Sequence, residues 1–255
     1  MIVEFFGPPG SGKTTFAHAL SERLRQDGFA VDVYLSARPG EEYSRSTVRG
    51  HARVGQGLID PLRRLARPLA QLITLKTSGS HWVDTSTEAL VANFPQRHKL
   101  TALRMRQYLV RLSAAWRDAG DSEHVTIFDQ GYIQAVSSIL LARGRASEAD
   151  AAEMLFAAPP SDLAIRVEAP PTEIARRLKR REIAIGRFGR LFESYLGEPT
   201  QHARVANWLE SELQRAGRAT LSVNSTDPET LTAELARTRV KIDHVRPKKA
   251  ADLEP

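Results

Sequence analysis

Residues Ile2 to Thr15 read IVEFFGPPGSGKTT. The stretch opens on a short apolar run, the pattern of a strand covered on both faces. The run breaks at Gly7, and from there to Thr14 the residues fit the spacing G-x-x-x-x-G-K-[ST], with a helical pattern starting at Lys13. Strand, glycine turn and helix form the context in which that spacing carries chemistry. Gly7, Gly10 and Gly12 let backbone N–H groups turn inward without Cβ interference, which makes a concave nest for an anion, and the helix start adds its positive end. Lys13 extends a point charge toward a polyphosphate. The Thr14 hydroxyl suits a Mg²⁺ ion whose other ligands are phosphate oxygens and water, and Thr15 suits a cap or an α-phosphate contact. The candidate binding turn is therefore Gly7, Pro8, Pro9, Gly10, Ser11, Gly12, Lys13, Thr14 and Thr15.

Working outward, four more apolar runs read as strands: Ala30 to Leu35, His124 to Phe128, Leu163 to Val167 and Thr220 to Val223. Between them lie segments with helical spacing, such as Ile59, Leu62, Ala66, Leu69 and Ile73, and again Met105, Leu109, Leu112 and Trp116. Alternating strands and helices argue for an α/β fold with a mainly parallel sheet and helices on both faces, because parallel neighbours need long crossovers. Residues 36–123 are too many for one crossover and should hold two or more helices, an insertion expected on the acceptor side. Within it, Ser36 to Gly57 is irregular and rich in Gly and Arg. Residues 1–242 then form a single domain and 243–255 a mobile C-terminal tail.

The 255 residues are 42% hydrophobic and 26% charged, a globular balance that excludes disordered and collagen-like classes. With no cysteine, disulfides, thiolate metal sites and a cysteine nucleophile are excluded. Apolar stretches are too short for a membrane span, and IVEFF is no signal peptide, so a cytoplasmic protein without a membrane partner is expected. The net charge of +6 favours an anionic ligand. Without a long basic run or a basic-aromatic ribbon, nucleic acid is not the expected partner. None of the seven histidines has metal-site spacing, and Trp82, Trp116 and Trp208 read as packing residues.

Two further segments carry chemistry. HVTIFD at His124 to Asp129 ends a strand on an acid, which puts Asp129 at the carboxyl edge of the sheet, where open α/β folds bind ligands. A carboxylate there suits the water shell of a metal or acts as a base toward a hydroxyl, and it also suits a helix N-cap. Tyr132 and Gln134 just beyond it are candidate acceptor-pocket residues, and Glu41 and Glu42 are outside candidates for a base. From Pro170 the chain reads PPTEIARRLKRREIAIGRFGR. Ile174 and Leu178 share one helix face and the arginines take others, with Arg176 spaced to Arg180 and Arg177 to Arg181. Stacked guanidinium groups suit phosphate, and a solvated basic face is the competing reading.

Together, GPPGSGKTT, HVTIFDQ and the arginine segment resemble the P-loop nucleoside and nucleotide kinases, thymidylate-kinase-like enzymes in particular, over most of the chain. YLSARPGEE at Tyr34 to Glu42 is similar to that group's strand and Arg-Glu-Pro-Gly turn, VEAPPTEIARRLKRRE at Val167 to Glu182 to the opening of its lid, and SVNSTDPE at Ser222 to Glu229 to its adenine-side loop. The resemblance implies a three-layer α/β/α P-loop NTPase fold with a five-stranded, mainly parallel sheet and a helical lid at 170–195. It implies ATP and Mg²⁺ as cofactors, with Thr14 and Asp129 at the metal and Lys13, Asp129, Arg176 and Arg180 as catalytic residues. It further implies Asn224, Ser225 and Thr226 at the adenine and Arg38 at the acceptor, with Gln130 at the position of an acceptor-side arginine, while Gln134 is assigned to the acceptor by its place after Asp129. Two departures stand out: Ala37-Arg38-Pro39-Gly40 lacks the family's glutamate, and Gln130 replaces the arginine that follows the acid. A neutral amide does not neutralise a phosphate dianion, which weakens the case for a nucleoside monophosphate acceptor unless Arg38 or Arg104 compensates.

The expected activity is transfer of the γ-phosphoryl group of ATP to a small-molecule acceptor, a nucleoside or nucleotide, with a homodimer as the expected assembly. Two alternatives stay open: a kinase for a sugar, antibiotic or other metabolite, and a nucleotide-dependent switch or nucleic-acid-associated ATPase.

Overall fold

In the computed structural model, β1 (Ile2–Phe6) is the middle strand of a five-stranded sheet of order β2-β3-β1-β4-β5. The structure describes residues 1–35, 81–95, 99–180, 199–224 and 226–246. The other strands are β2 (Val31–Tyr34), β3 (Val125–Phe128), β4 (Leu163–Glu168) and β5 (Thr220–Asn224), and every pairing is parallel. The five expected strands are all present, each within a residue or two of its expected ends, because strands buried on both faces leave unbroken apolar runs.

The described helices are α1 (Lys13–Gln26), α2 (His81–Ala92), α3 (Lys99–Gly120), α4 (Tyr132–Arg143), α5 (Glu148–Ala157), α6 (described over 171–180), α7 (Pro199–Arg215) and α8 (Pro228–Val245). They cover both faces of the sheet. Val3 and Phe5 point to α1 and α8, where Phe16, Leu20, Leu24 and Ile242 close one core. Ile2 and Phe6 point the other way, into a larger core with Leu90, Leu109, Trp116, Ile133, Ile139 and Leu209. Helix, sheet and helix make the three layers of a P-loop α/β fold.

This topology creates the site. After β1 the chain crosses to the α1 face, and after neighbouring β3 it crosses to the α4 face, so the carboxyl ends of β1 and β3 flank a crevice where crossovers diverge, the usual ligand position in open α/β sheets.

Helices α2 and α3 supply the expected helical insertion. Ser36 to Gly57 and the helical pattern at Ile59 to Ile73 lie outside the described residues. The tail was expected from Asp243, but α8 continues through Val245, so the boundary moves by three residues. Asp227 caps α8 by accepting the Thr230 N–H at 2.9 Å, and Pro228 occupies its first turn. Among the described residues no helix is long and apolar enough to cross a membrane.

Candidate active site

The turn from Gly7 to Gly12 needs its glycines for separate reasons. Gly7, at φ 138°, has no room for a side chain, since a Cβ would lie 2.5 Å from the Val167 carbonyl oxygen on β4. Gly10, at φ 81°, is covered by Leu178 of α6, 3.3 Å from where its Cβ would stand. Gly12, at φ 103°, is the N-cap of α1 and offers no capping side chain, and the first turn of α1 holds no acid. The orphan N–H groups of that turn thus keep their positive potential for an anion.

Lys13 is buried, and its ammonium donates to the carbonyl oxygens of Gly7 at 2.7 Å and Pro8 at 2.9 Å. These bonds hold the ammonium over the turn it serves. Thr14, one residue on, donates from Oγ1 to Asp129 Oδ2 at 2.8 Å. Asp129 is 1% exposed and its own N–H continues the ladder from β3 onto the Tyr34 carbonyl at 3.1 Å. The expected meeting of turn and carboxylate is therefore present. A hydroxyl and a carboxylate oxygen side by side are hard donors that fit Mg²⁺ completed by phosphate oxygens and water. Among the described residues there is no cluster of three or more His, Cys, Asp or Glu that could hold a metal ion.

Gln134, expected at the acceptor, instead touches the phosphate turn: its Oε1 accepts the Gly7 N–H at 3.1 Å. Tyr132 is corrected outright. It is fully buried, hydrogen-bonded to Thr87 Oγ1 at 2.8 Å and packed edge-on against Trp116 at 5.0 Å, so it is a core residue and lines no acceptor pocket. Trp116 also packs on Phe128 at 4.8 Å, as expected of a core residue. Gln130 is half-buried at the turn after Asp129. Arg38 and Ser225 lie outside the described residues. Asn224 ends β5, and the Thr226 hydroxyl donates to its side chain in the β5–α8 turn. That turn lies at the carboxyl edge two strands from β1.

On α6, the arginines divide differently from expectation. Arg176 is exposed and paired with Glu173 at 2.6 Å, a contact that raises its pKa further, and Arg180 is exposed at the end of the described segment. Among the described arginines of α6, Arg177 reaches the glycine turn, donating from Nη1 to the carbonyls of Ser11 at 3.1 Å and Gly10 at 3.3 Å and from Nε to Glu173 at 2.7 Å. Arg177 shares the face of Ile174 and Leu178 that packs on Gly10, contrary to the expectation that every arginine points elsewhere. The spacing of three from Ile174 carried that signal.

Three other residues escaped sequence reasoning. Tyr108 of α3 donates its hydroxyl to the carbonyls of Gln130 at 3.0 Å and Gly131 at 3.3 Å. Burial, then the carboxylates of Asp129 and Glu4, hold its pKa well above the ordinary phenol value. Glu4 of β1 is fully buried and its Oε2 accepts the Ile133 N–H at 2.9 Å, capping α4 from outside the helix. His202 of α7 is buried, and burial followed by the charge of Lys13 lowers its pKa, so its imidazole adds no positive charge beside the turn near neutral pH.

No family model matches the chain, and no curated protein matches it in sequence. Among solved structures, it is similar to a deoxyadenosine kinase from M. mycoides with dCMP and dCDP bound, at 14% identity and TM-score 0.46, covering 96% of this chain and all of the other. It is similar at 14% identity and TM-score 0.44 to the same kinase with dATP bound, covering 95% of this chain and all of the other.

Proposed function

We infer that this protein is an ATP-dependent phosphotransferase that moves the γ-phosphoryl group to a small acceptor, with a nucleoside or nucleotide as the preferred class. The observation that carries the reading is the convergence of Lys13, Thr14 and Asp129 at one crevice: an ammonium held over a glycine turn, and a hydroxyl 2.8 Å from a buried carboxylate. Phosphoryl transfer demands positioning and charge neutralisation rather than covalent help from the protein, and these groups suit that demand.

In this reading the amides of Gly7 to Gly12 and the start of α1 bind the polyphosphate, and Lys13 neutralises charge between the β- and γ-phosphoryl groups. Thr14 and Asp129 would hold Mg²⁺, which supplies further neutralisation when bound. Arg177 keeps the turn in shape from behind, while Arg176 and Arg180, on the exposed side of α6, serve the transferred group when the lid closes. Closure also excludes water, which competes as an acceptor. Asn224 to Thr226 would contact the adenine, and Arg38 with Gln130 the acceptor.

Gln130 favours one refinement. A neutral amide beside Asp129 suits an uncharged hydroxyl acceptor, a nucleoside or another metabolite, better than a monophosphate. The test is ADP release from Mg-ATP across nucleosides, nucleoside monophosphates, sugars and antibiotics, with Lys13→Ala as the blank. Stimulation by nucleosides is expected. Stimulation by monophosphates alone removes the weight given to Gln130, and ATP consumption only with polynucleotide overturns the kinase reading.

A further inference from the structure

Asp129 directly follows β3, its N–H still tied to the Tyr34 carbonyl of β2, and only Gln130 and Gly131 separate it from α4. The direction of its carboxylate therefore depends on what fixes that short turn. Three separate elements do so. From α1, Thr14 holds the carboxylate itself. From β1, Glu4 accepts the Ile133 N–H and leaves no space at Gly131, where a Cβ would stand 2.2 Å from Glu4 Oε2. From α3, the Tyr108 hydroxyl is shared between the carbonyls of Gln130 and Gly131.

We propose that Tyr108 is a positioning residue for phosphoryl transfer, its hydroxyl tying the long helix of the inserted segment to the turn that aims Asp129. This rests on the function inferred above and adds to it a residue far from the phosphate turn. Neither Glu4 nor Thr14 lies in the insertion, and among the described residues Tyr108 ties that segment to the turn backbone. A helix movement on the scale of the hydrogen bond's own tolerance, a few tenths of an ångström, changes the aim of the carboxylate. The hydroxyl is suited to the task, since a phenol stays protonated and able to donate across the physiological range. Tyr108 is not what anchors α3, because Leu109, Leu112 and Trp116 are buried in the core on the same helix. Removing the hydroxyl should then loosen the turn and leave the fold intact.

The test is Tyr108→Phe in the full chain, with the rate of ADP release titrated against Mg²⁺ and binding of a non-hydrolysable ATP analogue measured calorimetrically with and without Mg²⁺. The Mg²⁺ concentration for half-maximal rate should rise about fivefold to tenfold and kcat should fall about tenfold, the scale seen when a group behind a metal ligand is lost. Metal-free nucleotide affinity should stay unchanged, because the glycine turn and Lys13 are untouched. In an Asp129→Asn background the same substitution should add less than a twofold effect, and p-aminophenylalanine at position 108, which keeps the ring and a donor, should restore the wild-type Mg²⁺ requirement. An unchanged Mg²⁺ requirement, a full additional loss in the Asp129→Asn background, failure of the amine to rescue, or loss of the fold in Tyr108→Phe each overturns the proposal. A wild-type protein that binds no Mg-nucleotide removes the phosphotransfer reading and the proposal with it, whereas binding with an unmoved requirement in Tyr108→Phe removes the proposal alone.

Discussion

Thr14 Oγ1 lies 2.8 Å from Asp129 Oδ2, joining the first turn of the helix after β1 to the end of β3. Each side chain orients the other, and in the proposed function both oxygens would meet the same cation. Asp129→Asn keeps the shape but removes the charge, while Thr14→Val removes the hydroxyl alone. Asp129→Asn should lower kcat by about 10²-fold to 10³-fold and Thr14→Val by about 10-fold to 100-fold, both with a raised Mg²⁺ requirement. Rates measured over a Mg²⁺ series decide it. Equal losses at saturating and limiting Mg²⁺ would count against a shared metal role.

Two substitutions in the phosphate turn separate charge from shape. Lys13→Ala removes the ammonium held on the Gly7 and Pro8 carbonyls, and turnover should fall by at least about 10²-fold. Gly7→Ala leaves every charge in place but drives a methyl group into the Val167 carbonyl at a backbone angle that side chains avoid. It should destabilise the fold by about 1–3 kcal/mol and abolish nucleotide binding together with the turn's shape. Thermal melting and calorimetry on the two variants give the contrast, and a Gly7→Ala protein that binds nucleotide normally would refute the steric account.

The neighbouring arginines of α6 should behave differently. Arg177 holds the Gly10 and Ser11 carbonyls, so Arg177→Ala should lower stability by about 1–2 kcal/mol and raise the KM for ATP several-fold. Among the described residues Arg176 pairs with Glu173 at an exposed position, so Arg176→Ala should leave the melting temperature where it was. Any loss of kcat in Arg176→Ala then reports a contact made on lid closure. A melting shift as large as that of Arg177→Ala would show that the division of roles is wrong.

The central strand, the phosphate turn and Asp129 were legible because each is a local pattern: an apolar run, fixed glycine spacing, an acid at a strand end. Arg177 was legible in principle, from its spacing of three from Ile174. Tyr108, and the contact of Gln134 with Gly7, were not, because the partners at Gln130 and Gly7 lie 22 and 127 residues away and only the folded topology brings them together. Glu4 left a trace, as the single charge inside the strand IVEFF, and the fold turns that irregularity into the external cap of α4.

Glu4 also yields a pH prediction. Burial raises its pKa to about 7 from 4.5, opposed by the Ile133 N–H, by Ser161 and by the charge of Arg218. Between pH 4.5 and 7 the folded protein therefore holds a proton that the unfolded chain has released, so stability declines as pH rises through that window and levels off above it. Glu4→Gln keeps an oxygen to accept the Ile133 N–H but has nothing to ionise, so the decline should vanish. The variant and wild type should be closest near pH 5. By pH 8 the variant should lead by up to about 3–4 kcal/mol, the full width of the shift from 4.5 to about 7 converted at about 1.4 kcal/mol per pH unit. Urea unfolding at pH 5 and pH 8 measures the gap. A difference that stays constant with pH would mean that Glu4 is ionised in the folded protein throughout the range, with Arg218 and the amide hydrogens outweighing its burial.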